Sequence, residues 1–196
     1  MEYFVAPERL VTPTFTVRSY MPGDGELVNP AIAGSYEHLR TFMPWARPDP
    51  SLESSEDFAR RCRGEFLLNQ NFVMAIFSPG EDRLLGGTGF HLRGQPLEQR
   101  NADVGMWIRA DAAGQGLGTT VLVALLRWGF DAWPWLRLTW HCDTRNVASA
   151  RTAEKAGMRL EGTHRSDAFI SGSAGERRDT HVFAALRGEW TPPAGR

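Results

Sequence analysis

Gly114, Gly116 and Gly118 fall at every second position of AGQGLGTT, residues 113–120, and two hydroxyls, Thr119 and Thr120, follow directly. Glycine has no Cβ to hold a ligand off the backbone. The helix-like run beyond the turn adds unpaired N–H groups and the positive end of a dipole. Together these features form a seat for a phosphate or pyrophosphate. A nucleoside triphosphatase loop needs a Lys beside the hydroxyl, and Gly-Thr-Thr at 118–120 has none. A dinucleotide fold places its glycine turn after the first strand, with an acid about 20 residues on. Here the turn follows the fourth strand-like run, and PWLRLTWHC at 134–142 holds no acid. A plain helix start with no ligand is the remaining alternative. Other polar groups surround this seat. Asn146 opens NVAS one helix and one strand downstream; Asp103 shares a period-two face with Gly105 and Trp107; His91 sits on the run before it.

The elements that would carry these residues alternate between strand and helix periodicity. TFTVRSY at 14–20 alternates as a first strand. Residues 25–41 read as helix, divided by Pro30 and Gly34. FMPWARPDP at 42–50 is a proline-stiffened loop. Ser54 and Asp57 resemble a capping box opening a helix over 55–69, with Phe58, Cys62 and Phe66 on one face. Phe72–Phe77 and Leu84–Leu92 form a hairpin around PGED, and Asp103–Arg109 is the next strand. The glycine turn then opens a helix over 117–132, striped by Leu117, Val121, Ala124, Leu125 and Trp128 and ended by Trp133-Pro134. Leu136–Cys142 is a strand, and a helix capped by Asn146 stops at Gly157. Met158–Thr163 and Asp179–Leu186 close the chain around a loop at 171–176. This interleaving predicts a mixed α/β class with a mixed sheet.

The composition narrows the function classes. A chain of 196 residues fits one domain with a real core. Net charge is −1, from 22 basic and 23 acidic residues, which argues against a general nucleic-acid binder. Cys62 and Cys142 have no metal-site or disulfide-framework spacing, and read as reduced thiols of a cytoplasmic protein. MEYFVAPERL lacks the basic start and apolar core of a signal peptide, and VLVALL at 121–126 is too short to span a bilayer. Neither a metal nor a membrane partner is expected.

WIRADAAGQGLGTT, NVASARTAEKAGM and RLEGTHR, in that order, resemble the GNAT acyltransferase superfamily. Within it they look like the RimJ/RimL-like branch, which includes N-terminal acetyltransferases of ribosomal proteins. LRTFMPWARPDPSLES at 39–54 resembles the loop after the first helix in that branch. The resemblance implies the GNAT fold, an α+β domain over 1–196 with its core at about 14–187. Its central sheet would be mixed, mostly antiparallel and flanked by helices. It implies transfer of an acetyl group from acetyl-CoA to a primary amine by direct attack, the acceptor being a protein N-terminus or a small molecule. A homodimer is the default assembly. The alternative is a CoA-binding sensor or scaffold that has lost catalysis.

The resemblance also assigns roles. Backbone N–H groups of Gln115, Gly116, Leu117, Gly118 and Thr119 would hold the pyrophosphate. The family turn begins with Gln or Arg; Ala113 stands there, so one side-chain donor is missing. Met106, Trp107 and Ile108 would lie along the pantetheine arm, one of their N–H groups polarising the thioester carbonyl, with Trp107 a candidate for the acyl tunnel. Asn146 would bond the pantetheine amides, serve as a helix cap, or do both. Many relatives carry a Tyr seven residues after this Asn to protonate the leaving thiolate; here that position is Ala153, and Ser149 is the substitute. A first-turn serine bonding locally is the bland alternative for Ser149. Asp103 is the first choice for the base, His91 its rival and Asp167 a third option, with Ala168 the alternative occupant of that last position. Trp45, Glu37, His91 and Phe169 are candidates for the acceptor's surroundings.

Overall fold

A computed structural model describes residues 4–170 and 175–194. One eight-stranded sheet runs through it in the order β1-β2-β3-β4-β5-β6-β8-β7. The strands are β1 (Arg9–Val11), β2 (Thr16–Ser19), β3 (Phe72–Phe77), β4 (Leu84–His91), β5 (Asn101–Ile108), β6 (Arg137–Asp143), β7 (Arg159–Phe169) and β8 (Arg177–Leu186). All neighbours are antiparallel except β5 and β6. The helices are α1 (Gly25–Ala33), α2 (Tyr36–Leu39), α3 (Leu52–Leu67), α4 (Leu117–Asp131) and α5 (Val147–Lys155).

Local sequence accounts for most of these elements. FVMAIF is a continuous apolar run because β3 lies mid-sheet with five of its six residues buried. Pro30 stays inside α1, and Gly34 ends that helix, so residues 25–41 form two helices rather than one. The cap of α3 is Ser51, whose hydroxyl accepts from Ser54 N–H, so the helix begins three residues before the expected 55. β1 was not anticipated; its short exposed run RLV carries little periodicity. β7 and β8 are longer than expected, and residues 171–174 of the loop between them lie outside the described residues.

The two faces of the sheet carry different layers. Tyr20, Val28, Ala31, Ala59, Cys62, Ala75 and Phe77 join α1 and α3 to one face. The other face meets α4, where Val121, Leu122, Leu125 and Trp128 pack on Phe72, Phe90, Leu138 and Trp140. β5 divides its residues between the two. Ala102, Val104, Met106 and Ile108 face α4, and Trp107 faces the α1–α3 layer.

β5 and β6 pair only from Asn101–Arg137 through Asp103–Thr139. Beyond those residues each strand keeps its outer partner, β4 for β5 and β8 for β6. The sheet therefore forks at its centre, and the inner backbone edges of Val104–Ile108 and Trp140–Asp143 lose each other as partners.

Candidate active site

The phase of β5 determines which of its amides enter the fork. Arg109 N–H donates to Leu85 O at 2.9 Å. With the register Trp107–Gly87, Gly105–Gly89 and Asp103–His91, the odd-numbered residues exchange bonds with β4. Val104, Met106 and Ile108 therefore turn N–H and C=O toward the fork. Of the three expected donors to a thioester carbonyl, Met106 and Ile108 turn their amides into the fork and Trp107 turns its amide toward β4. The Trp107 side chain also points away from the fork, lying against Gly87 and meeting Trp45 edge-on at 5.8 Å between ring centroids.

The glycine turn closes one side of the fork. Gly114 has φ +76° and Gly116 +85°, and Gly116 caps α4 from the left-handed region. Thr120 N–H makes the first bond of the helix, to Gly116 O, so the amides of Leu117, Gly118 and Thr119 precede any helical acceptor. Thr120 Oγ1 bonds the same carbonyl at 3.2 Å, the local bond that keeps it from a ligand. The Gln115 side chain folds back to Asp111 O. A Cβ on Gly118 would sit 3.8–3.9 Å from the side chains of Ile108, Met106 and Thr152, so this residue lies beside β5 and the flank of α5.

The N-terminus of α5 lies beyond β6. Asp143 is 3% exposed, accepts from the backbone and side chain of Arg145, and its carbonyl takes Asn146 N–H at 2.8 Å. Those bonds hold Asn146 Oδ1 on Ser149 N–H at 3.1 Å, a true cap. The cap uses the oxygen of that amide and leaves its NH2 group as donor, so both expected roles fit together. Ser149 Oγ accepts from the Trp140 indole at 3.0 Å, an arrangement absent from the sequence expectations. A hydroxyl that accepts through its oxygen keeps its proton for another partner. Cys142 lies within hydrogen-bonding reach of the same hydroxyl, and burial pushes its thiol pKa up.

The opposite face of the fork carries the ionisable groups. Asp103 is 6% exposed, a buried carboxylate rather than one solvated at the strand edge. Its Oδ2 accepts from Arg93 Nε and Nη2 at 2.9 and 2.7 Å, and its Oδ1 contacts Thr139 Oγ1 at 3.3 Å and His141 Nδ1 at 2.7 Å. Burial pushes its pKa up, but the bond and charge of His141 and the Arg93 guanidinium outweigh burial and hold it below the usual range. His91 packs over Gly105, and burial lowers its pKa to about 4. A cavity of about 560 Å³ opens here, with His91, Asp103, Thr139, His141, Glu161 and His164 among its walls. Glu37 does not join it: its side chain is 78% exposed and pairs with Arg40. Phe169 is 66% exposed under Arg177, and Asp167 lies near His164 on the outer strand β7. His141 was missed because its only sequence signal was a position two residues after Thr139 on an alternating strand.

The acetyltransferase (GNAT) domain family matches residues 15–159. The chain belongs to the GNAT acetyltransferase family. Its RimL/RimJ-like relatives include the ribosomal-protein-serine acetyltransferase of Escherichia coli (strain K12), 28% identical over 121 residues. That alignment covers 61% of this chain and 66% of the enzyme. The ribosomal-protein-S5-alanine acetyltransferase from Vibrio fischeri superposes with a TM-score of 0.80 at 16% identity, over 95% of this chain and 100% of that one. The microcin C7 self-immunity acetyltransferase MccE, solved with acetyl-CoA and AMP, superposes at 0.79 and 18% identity, over 89% and 93%. GNAT acetyltransferases take their acetyl group from acetyl-CoA. The fork, the positive-φ glycines and the free first-turn amides fit such a cosubstrate.

The GNAT turn makes a graded prediction. Gly116→Val forces a β-branched residue to φ +85° and should raise the CoA dissociation constant about tenfold. Gly118→Ala adds a Cβ at ordinary contact distance and should change it less than about threefold. Calorimetric titration with CoA measures both; equal effects would remove the left-handed turn as the reason.

Proposed function

We propose that the chain transfers an acetyl group from acetyl-CoA to a primary amine by direct attack, with a protein N-terminus as the leading acceptor class. The observation that carries this reading is the fork itself. The amides of Met106 and Ile108 that it frees, the left-handed turn opening α4 at Gly116, and the Ser149 hydroxyl whose oxygen accepts from Trp140 support the reading. Amides preset toward a carbonyl oxygen stabilise the charge that develops during attack. Ser149 would protonate the departing thiolate. No covalent enzyme intermediate is needed, and both cysteines are free and buried. The E. coli relative's name supports a protein acceptor.

No helix among the described residues is long and apolar enough to cross a membrane. The cytoplasm and a homodimer are part of this proposal, the latter to be read by light scattering. A thiol-release screen tests the function, offering acetyl-CoA with Ser- and Ala-initiated peptides, spermidine and kanamycin. Amine-dependent release is expected, with the peptides fastest. CoA binding without release from any amine would favour a silent CoA sensor, the reading to which Ala113 lends weight.

A further inference from the structure

The sequence offers Asp103, His91 and Asp167 as acceptors of the amine's proton, and the fork adds one that it did not suggest. Asp103 and Thr139 are the last paired residues of β5 and β6. His141 stands two residues further along β6, on the same face as Thr139, at the start of the opening. Its Nδ1 lies 2.7 Å from Asp103 Oδ1, and the ring lines the cavity with its side chain 38% exposed. A carboxylate on Nδ1 fixes the proton there and leaves the lone pair on Nε2.

The rivals fit worse. Asp103 is enclosed, with contacts from Arg93, Thr139 and His141 on its two oxygens. His91 is pressed over Gly105, away from the inner edge of the fork. The Ser149–Trp140 pair belongs to the α5 side, so a base on the cavity side lets proton removal and thiolate protonation occur on opposite faces.

We propose that His141 is the catalytic base for the acceptor amine, with Asp103 as its positioning residue and the cavity over β5 and β6 as the amine's approach. The proposal rests on the acetyl-transfer reading. The amine nitrogen bonds the thioester carbonyl carbon and its surplus proton passes to His141 Nε2. The C–S bond breaks, its electron pair leaves on sulfur, and that thiolate takes a proton from Ser149, which solvent restores.

The test uses the panel amine with the fastest turnover. His141→Gln can still bond Asp103 but cannot accept a proton, and should lower kcat about a hundredfold while leaving CoA affinity by calorimetry unchanged. His141→Ala should regain about tenfold of its lost rate on adding imidazole, which a residue that only joins two strands would not do. Asp103→Asn should lower kcat with little change in KM for acetyl-CoA; because it also strips Arg93 of its partner, the His141 variants, checked by thermal melting, decide the matter. Wild-type turnover in His141→Gln, or a folded His141→Ala that imidazole does not restore, overturns the base assignment alone. Absence of amine-dependent release in the unaltered chain overturns the transferase reading and the base with it.

Discussion

Ser149→Ala is expected to slow acetyl transfer about a hundredfold and to leave acetyl-CoA affinity within about twofold. The hydroxyl lies in the first turn of α5, where its oxygen accepts from the Trp140 indole at 3.0 Å. That bond costs the hydroxyl no proton, so it restricts the Oγ–H direction without consuming the donor. A thiolate is a tolerable leaving group, which places the loss at the low end of the general-acid range of about 10²–10⁴. CoA affinity should hold because the expected binding groups, the amides of Gln115–Thr119 and the NH2 of Asn146, are untouched. The Asn146 cap is also untouched, since it bonds the Ser149 backbone and not its side chain. Steady-state kinetics with calorimetry separates the two quantities. Equal losses in rate and affinity would make Ser149 a binding residue and end its assignment as the thiolate's acid. Cys142→Ala, which alters the neighbouring thiol, is the control and should retain activity.

The largest stability effect is expected at Phe72. Its ring is 0% exposed and meets Phe4, Phe66, Trp133 and Trp135 at centroid distances of 6.2, 5.5, 4.9 and 5.9 Å, all edge-on. Phe90, on the paired position of β4, meets the same two indoles. Truncation leaves a cavity among rings too stiff to collapse into it, so Phe72→Ala should cost about 3–5 kcal/mol. Domains have only about 5–15 kcal/mol in all. In a chain of this size that loss lowers Tm by roughly 6–20 °C. Phe169→Ala is the comparison: its ring is 66% exposed, and the change should stay within about 0.5 kcal/mol. Calorimetric melts of the two variants decide; similar shifts would mean that the aromatic cluster does not hold the sheet to α4.

Much of the architecture is a local property of the chain. Phe72–Phe77 is a strand because six apolar residues stand between turn signals, and the structure keeps those bounds. The turn at 113–120 needs left-handed backbone at Gly114 and Gly116, which only glycine adopts freely, so spacing alone marks it. Asn146 capping and the Gly157 stop are likewise decided within a few residues of each other. These local signals carry the family resemblance, and the family match agrees with them.

The polar side of the site was legible only in part. Asp103 and Ser149 could be named from position, but their partners could not. His141 reaches Asp103 because β5 and β6 run parallel, and a parallel pair is joined by a crossover, here through α4. Its register follows from how α4 packs on the sheet, not from either strand's own pattern. The fork has the same origin. β5 and β6 read as ordinary alternating strands throughout, and nothing in their residues says that pairing stops at Asp103. That stop determines which amides stand free. Alternation along the chain assigns side chains to faces; only the pairing with β4, fixed by Arg109 and Leu85, sends the amides of Met106 and Ile108 inward and that of Trp107 outward. Residue types at short spacing mark the kind of chemistry. Which groups meet one another at the fork follows from the tertiary structure, because hydrogen-bond partners across a divided sheet are set by long-range packing.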